Sequence, residues 1–349
     1  MIIENLLDWE NSLVTHDASI LDCINNLESS GLKLALIVNG SRQLLGTVSD
    51  GDIRRAIIKG YSLESKCLDI MNESPIFVED VTNKNVLMGL SLQAKVDLVP
   101  LVDQQKVVSG LLREVRESSS EVSCAKFLIM AGGEGKRLRP HTENCPKPLI
   151  EVKGKAMILH IIDRAKEQGF FEFIVSLGYL GQMIEDFLGD GSQFGIAVEY
   201  IRENSPMGTA GALFMLKGKI NCPLVISNGD VISELNYREL CQYHQLQNSV
   251  ATMAVRPFQM QNPFGVVDLN GTDIVGFTEK PIYKAFINAG IYVLDPEVLD
   301  YLDDEGGYCD MPTLLERVVS VGKKSVTAYP IHEEWVDVGR LADLDHMNK

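Results

Sequence analysis

The chain has 349 residues, enough for two or three cores, and with 45% hydrophobic and 23% charged residues it reads as a globular protein, not a disordered one. A net charge of -16 argues against a nucleic-acid partner, whose phosphate backbone is bound by a basic surface that releases counterions. Seven cysteines without CxxC pairing or zinc-like His/Cys spacing suit reduced thiols in a cytoplasmic protein. The acidic N-terminus and the lack of any apolar run near 18 residues point to neither export nor membrane spanning.

In chain order, the first feature is an internal repeat that comes into line at an offset of 64 residues, with Val38 falling on Val102 and Gly46 on Gly110. Each unit starts with a short extended piece, around Val14 or Val78, and continues into a helical segment, Ser19 to Gly31 or Asn83 to Lys95. Two apolar strands and a second helix follow. The duplicated β-α-β-β-α order, with "GTVSDGDIRRAI" and "DIMN", resembles the cystathionine-β-synthase (CBS) domain pair. That resemblance implies a regulatory nucleotide or an oligomer-building role, with Ser49 and Asp52 in the Ser/Thr-x-x-Asp positions that hold a ribose. The equivalent Arg113 and Arg116 cannot accept hydrogen bonds from ribose hydroxyls. One nucleotide site per pair, centred on Asp52, is therefore expected; the alternatives are a generic α/β repeat that binds nothing and a CBS pair that only builds an oligomer interface.

The polar, serine-rich stretch from Arg113 to Cys124 suits a linker, and the boundary is expected near Ser120, giving units 1–120 and 121–349. Beyond it, strand and helix patterns alternate: "FLIM", "MILHIIDRAKEQG", "EFIVSLGY", "MIEDFLGDG", "IAVEYI", "PLVISNGD". Alternation of this kind predicts an α/β, doubly wound, Rossmann-like sheet, mainly parallel. The later stretches "VATMAVRP", "FGVVDLNG" and "DIVGFTEKP" are hairpin-like, so the sheet is expected to be mixed.

The first strand of this region, "AKFLIM", runs into "AGGEGKRLRPHTENCPKP". Glycines at a strand end let backbone N–H groups approach phosphate oxygens, and in open α/β sheets that edge binds ligands. A dinucleotide fingerprint is excluded because Leu138 stands where the third glycine belongs, and a P-loop because Lys136 is followed by Arg137. The remaining pattern, G-G-x-G-x-R-L-x-P then P-K-P, resembles the sugar-phosphate nucleotidyltransferases, whose sheet is of the GT-A-like type. The resemblance implies attack of a sugar 1-phosphate on the α-phosphorus of a nucleoside triphosphate. Ala131, Gly132, Gly133 and Gly135 would then face the triphosphate. Arg137 would fork onto its oxygens and Lys147, stiffened by prolines on both sides, would add a point charge.

Further residues follow from the same resemblance. "VISNGD" and "EWVDVG" would place Asp230 and Asp337 on Mg2+, which such chemistry uses to neutralise phosphate charge. In "ENSPMGTAGAL", Gly208, Thr209 and Ala210 would border the base, and "GTAGAL" resembles the guanylyltransferase branch, which implies GTP. "NPFGVVDL", "FTEKP" and "NAGIYVL" arrive in the family's order and would bring Gly265, Glu279 and Asn288 to the sugar and Lys280 to its phosphate. No histidine belongs to these motifs, and His141 reads as loop surface. The expectation is a cytoplasmic, homo-oligomeric sugar-1-phosphate guanylyltransferase making a GDP-sugar of the glucosamine or mannose type. Among such fusions it is most similar to bacterial enzymes that serve nonulosonic (legionaminic) acid synthesis. The alternatives are an inactive nucleotide-sensing subunit, or the same reaction with UTP, CTP or dTTP.

Overall fold

The structure, a computed structural model, describes residues 2–79, 98–115, 126–203, 205–303, 307–322 and 325–348. It divides into two compact units, Met1–Glu121 and Val122–Lys349. No helix among the described residues is long and apolar enough to cross a membrane.

In the N-terminal unit the strands are β1 (Ile2–Asn5), β2 (Leu13–Thr15), β3 (Leu34–Val38), β4 (Leu44–Ser49), β5 (Leu98–Val102) and β6 (Val108–Val115). Helices α1 (Ile20–Ser30) and α2 (Asp50–Ile58) follow β2 and β4. The repeat reappears in the backbone: β3 pairs with β4, and β5 with β6, each antiparallel and each with an irregularity, at Ile37/Val38 and Leu101/Val102. Even the turns match, with Arg42 at φ 60° and Lys106 at φ 63°. The two turns also bond to each other, Leu44 N to Lys106 O at 2.9 Å and Val108 N to Arg42 O at 3.0 Å. A shared core of Leu36, Val38, Leu44, Val102, Val108 and Leu111 lies beneath. The helix expected over 83–95, together with Arg116, lies outside the described residues.

The C-terminal unit is built on a seven-stranded sheet. Its elements are β7 (Lys126–Ala131), β8 (Glu151–Val152), β9 (Lys155–Ala156), α3 (Met157–Glu167), β10 (Glu172–Leu177), α4 (Gly181–Leu188), β11 (Ala197–Arg202), α5 (Gly208–Gly211) and β12 (Leu224–Asn228). There follow β13 (Val231–Ser233), α6 (Tyr237–Leu246), β14 (Ala251–Gln261), β15 (Val266–Asn270), β16 (Asp273–Thr278) and β17 (Ile282–Leu294). The unit ends with α7 (Met311–Ser320), β18 (Val326–Pro330), β19 (Trp335–Asp337) and α8 (Leu341–Met347). The order across the sheet is β11-β10-β7-β12-β17-β14-β18. Strands β11, β10, β7 and β12 are parallel, β17 is antiparallel to both neighbours, and β18 runs parallel to β14. The sheet is thus mixed, as the hairpin-like stretches predict.

Strand periodicity explains the two cores. Along β7, Phe127, Ile129 and Ala131 point to a cluster with Ile158, Ile161 and Ile162 of α3, while Leu128 points to the other face, with Leu314 and Leu315 of α7. Each such Leu, Ile or Phe side chain contributes about 1.5–3 kcal/mol by burial. Phe127 also meets Phe170, Phe173 and Tyr237 at ring centroid distances of 5.7, 5.6 and 4.9 Å, which anchors the start of β7. With β10 on one side and β12 on the other, the C-terminal end of β7 is the switch point at which such sheets open a crevice.

Candidate active site

The glycine loop leaves β7 at that switch point. The glycines differ in what their backbone positions require. A Cβ on Gly132 would stand 2.3 Å from Glu203 Oε1, and Glu203 is fixed by the Ser176 hydroxyl, which donates to it at 2.7 Å, and by Met207 N at 3.2 Å. Gly135 has φ 61°, and its Cβ would meet Thr142 Cγ2 at 2.9 Å. Gly133 has neither constraint: nothing lies within 4 Å of where its Cβ would be. Lys147, buried, starts a single 3-10 turn after Pro146, closed by Leu149 N to Pro146 O at 2.9 Å. The turn directs its ammonium to Asp230 Oδ2, with which it forms an ion pair.

Backbone pairing brings the two aspartates together. Gly229 N donates to Met130 O at 2.9 Å, which seats the end of β12 beside the loop. In the β13–β19 ladder Asp337 is opposite Val231, and Val338 N donates to Asp230 O at 3.0 Å. Asp337 Oδ1 and Asn228 Oδ1 are buried without a hydrogen-bond partner. Burial, and then the charge of Asp230, push the Asp337 carboxyl above the ordinary range, with Lys147 and Arg137 pulling the other way. A Cβ on Gly339 would lie 3.1 Å from Asp337 Oδ1 and 3.4 Å from both terminal nitrogens of Arg137, so the arginine reaches the same corner. Among the described residues no three His, Cys, Asp or Glu side chains cluster as a self-sufficient metal site. Two carboxylates and an orphaned amide oxygen are instead the hard, incomplete donor set that suits Mg2+ completed by phosphate oxygens.

These residues border one cleft of about 470 Å³, lined by Ala131 to Arg137, Lys147, Asn228 to Asp230, Gly208, Thr209 and Gly339. Asp337 does not itself line it, standing next to Gly339. Ala210 is wholly buried in the second core and also lies outside the lining, because the short α5 turns it away. Thr209 has a structural duty: its hydroxyl accepts from Met311 N at 2.8 Å, at the start of α7. Polar lining residues without a role in the sequence reading include Glu203, Asn228, Tyr308 and Asp310. Asp310 accepts from Thr209 N at 3.2 Å and from the Tyr308 hydroxyl at 2.8 Å. For Glu203 the signal was its place at the head of "ENSPMGTAG"; for Tyr308 and Asp310 no motif exists.

The residues expected at the sugar do not line this cleft. Gly265 and Glu279 meet at the base of the β15–β16 hairpin, where a Gly265 Cβ would be 3.0 Å from Glu279 Oε2, and Lys280 adopts φ 45°. Asn288 donates to the Tyr292 hydroxyl at 2.6 Å and accepts from Gly290 N at 2.9 Å. A Gly290 Cβ would stand 2.7 Å from Asn228 Nδ2, so this strand does touch the acidic end of the cleft. In the N-terminal unit, Ser49 and Asp52 form a capping box at the start of α2. Asp52 Oδ2 accepts from Ser49 N at 2.9 Å and from its hydroxyl at 2.6 Å, and Oδ1 accepts from Arg55 at 2.6 Å. Ser19 and Asp22 do the same for α1.

Two family profiles match the chain: that of the nucleotidyl transferases over residues 126–349, and that of the CBS domain over residues 12–59. The chain is 37% identical over 232 residues to the "Probable mannose-1-phosphate guanylyltransferase 1" of Oryza sativa subsp. japonica, covering 62% of each chain. It is 33% identical over 231 residues to the mannose-1-phosphate guanyltransferase of Kluyveromyces lactis, a match that takes in 63% of this chain and 62% of that protein. The chain therefore spans about 62% of the length of these curated relatives. In fold it is similar to a UDP-glucose pyrophosphorylase complexed with UDP-glucose, at a TM-score of 0.50 and 18% identity, over 64% of this chain and 97% of that one. With the family's profile spanning the whole sheet and cleft just described, and a CBS domain preceding it, the chain belongs to the nucleotidyl transferase family.

Proposed function

We propose that this chain transfers a nucleotidyl group from a nucleoside triphosphate to a sugar 1-phosphate, with GTP as donor and a GDP-sugar and pyrophosphate as products. The observation that carries the reading is the convergence of Gly133, Lys147, Asp230 and Arg137 on one cleft at the sheet's switch point. GTP is favoured by the mannose-1-phosphate guanylyltransferase names of the similar proteins. The acceptor is a sugar 1-phosphate of the mannose or glucosamine type, destined for a surface glycan or a nonulosonic acid.

In the reaction an oxygen of the sugar phosphate forms a bond to the α-phosphorus. The bond from that phosphorus to the bridging oxygen breaks, and pyrophosphate leaves with the electron pair. The attacking oxygen is already anionic at neutral pH, so the chain needs no general base and no covalent nucleophile. Its task is to hold the phosphates in line and to balance their charge. Gly133, with open space beside it, lets the backbone approach the triphosphate. Arg137 and Lys147 place positive charge on the phosphate oxygens, Lys147 being held by the turn after Pro146. Asp230 and Asp337 would hold Mg2+, which when bound spreads the negative charge of the phosphates.

Pyrophosphate release across a matrix of GTP, UTP, CTP, dTTP and ATP against sugar 1-phosphates tests the reading. Turnover with GTP and one sugar phosphate is expected. A dominant UDP-, CDP- or dTDP-sugar overturns the donor and keeps the reaction class. Silence across the matrix with nucleotide binding retained overturns catalysis and leaves a nucleotide-sensing subunit.

A further inference from the structure

The two repeats of the N-terminal unit differ at a place where their symmetry predicts the same packing. At the 64-residue offset Trp9 falls on Glu73, Glu10 on Ser74, Leu13 on Phe77 and Arg42 on Lys106. In the first repeat the 3-10 turn Trp9–Ser12 packs on β3 and β6, and the partly buried indole of Trp9 lies with Leu13 against the core that the repeats share. The next residue satisfies the nearby cation: Arg42 Nη1 donates to Glu10 Oε1 at 2.9 Å. In the second repeat the counterparts of β3 and β6 are β5 and β4, and Glu73 stands where the indole would be. A cavity of about 240 Å³ lies at the corresponding place, lined by Leu44 of β4, Val102 of β5, Phe77, Glu73 and Lys106. Lys106 Nζ is 5.7 Å from the centroid of the Phe77 ring, and among the described residues no carboxylate pairs with it. Both parts of the first repeat's plug, the bicyclic ring and the carboxylate on the turn cation, are thus missing from the second.

We infer that this cavity binds a small aromatic carboxylate, which supplies to the second repeat the ring and the charge that Trp9 and Glu10 supply to the first. The volume lies below the roughly 300 Å³ at which pockets for drug-sized ligands begin, so it suits one bicyclic ring with a short arm. Leu44, Val102 and Phe77 provide the apolar walls such a ring needs, and the polar groups fix its orientation. Lys106 donates to the carboxylate, as Arg42 does to Glu10, and Glu73 offers an acceptor to a ring N–H. The site is separate from Ser49 and Asp52. Strand β4 runs from Leu44, at the cavity, to Ser49, at the head of α2, about 16 Å at the usual strand rise. Because Leu44 belongs to one repeat and Val102 and Lys106 to the other, the ligand bridges the repeats at turns that already bond to each other.

The test is titration calorimetry of the full chain with indole-3-acetate, an indole bearing one carboxylate. Saturable binding at one site per chain is expected. Indole alone and acetate alone should each bind at least tenfold more weakly, since neither supplies both groups. Lys106→Gln is expected to weaken indole-3-acetate about fivefold, the upper range for an exposed ion pair. Glu73→Trp/Ser74→Glu, which copies the first repeat's pair into the second, is expected to raise the melting temperature and to weaken binding at least tenfold by occupying the cavity. Ser49→Ala should bind the probe as the unaltered chain does. No saturable binding up to about 1 mM overturns the inference. So does unchanged affinity in Lys106→Gln or in a folded double variant, indole alone binding as tightly as indole-3-acetate, or binding lost in Ser49→Ala. If the double variant fails to fold, Lys106→Gln, on an exposed turn, still decides the outcome.

Discussion

Two nucleotide sites can be read from spacing in this sequence, and the folded chain treats them in opposite ways. At the β7 loop the side chains that spacing singles out remain directed at a cleft. Gly133 borders open space, and beside the cleft Asp337 keeps a buried oxygen without a partner. At the start of α2, Ser49 and Asp52 close on each other, and Asp52 also holds Arg55. The same two residue types at the same spacing cap α1, where no ligand is expected. A motif whose polar atoms satisfy one another is explained by the helix it caps, whereas a motif that leaves a buried acceptor unmet points to a ligand.

The sharpest way to break this contrast is at the aspartates. Asp230→Asn and Asp337→Asn are each expected to lower turnover by two or more orders of magnitude, about 2.7 kcal/mol or more of transition-state stabilisation. Steady-state pyrophosphate release at saturating Mg2+ measures it, and near-normal rates in both variants would remove the metal assignment. Next come Lys147→Ala and Arg137→Ala. Charged contacts to phosphate are worth about 1.5–3 kcal/mol, so kcat/KM should fall about 10- to 150-fold. A folded Lys147→Ala chain with unchanged kinetics would discard the reading of "PKP".

The glycines separate structure from function within a single loop. Gly132→Ala, pressed against Glu203, is expected to cost about 1–3 kcal/mol of stability in urea unfolding, as overpacking does. Gly133→Ala should unfold like the unaltered chain and show weaker GTP binding. Equal unfolding losses in both variants would erase the distinction. A smaller effect is expected at Ser49→Ala and Asp52→Ala, each losing about 1 kcal/mol as a capping group is removed. If melting is unaffected and calorimetric nucleotide binding by the chain disappears, the N-terminal motif is a ligand site after all.

Asp337 provides the finest test, through pH. Its carboxyl titrates above the ordinary range because burial and Asp230 disfavour the charge. The folded state therefore bears the cost of ionising it at pH values above that raised pKa. The cost fades as pH falls through it toward the ordinary carboxylate range. Asp337→Asn should accordingly raise the melting temperature near neutral pH and lose that advantage in acid, while turnover collapses. Stability gained at the expense of function is the mark of a site that stores unfavourable charge.

Much of this was legible in the sequence because it is local. The glycine loop is contiguous, so strand end, glycines, arginine and lysine could be read from one stretch. The repeat survives down to Arg42 and Lys106, both with positive φ at the same place in their turns. The alternation of strand and helix patterns announced the sheet, and its mixed character followed from the hairpin-like stretches. The residues around Thr209 were only partly legible. "GTAGAL" is a helical turn whose small residues also pack against a distant segment: a Gly208 Cβ would meet Cys309 O at 2.6 Å. That segment carries Tyr308 and Asp310 into the cleft without any motif of its own.

By itself, then, the sequence determined the order of elements, the glycine loop and the duplication, since each depends on residues close along the chain. Only the tertiary structure decided which acids meet. Asp230 and Asp337 stand more than a hundred positions apart, and they join because β13 and β19 pair in a register that sets Asp337 opposite Val231. It also decided that Gly265 and Glu279 face each other outside the cleft, on a ribbon that the sheet does not cover. The physical reason is that pairing register and burial come from contacts between distant segments, which no local spacing encodes.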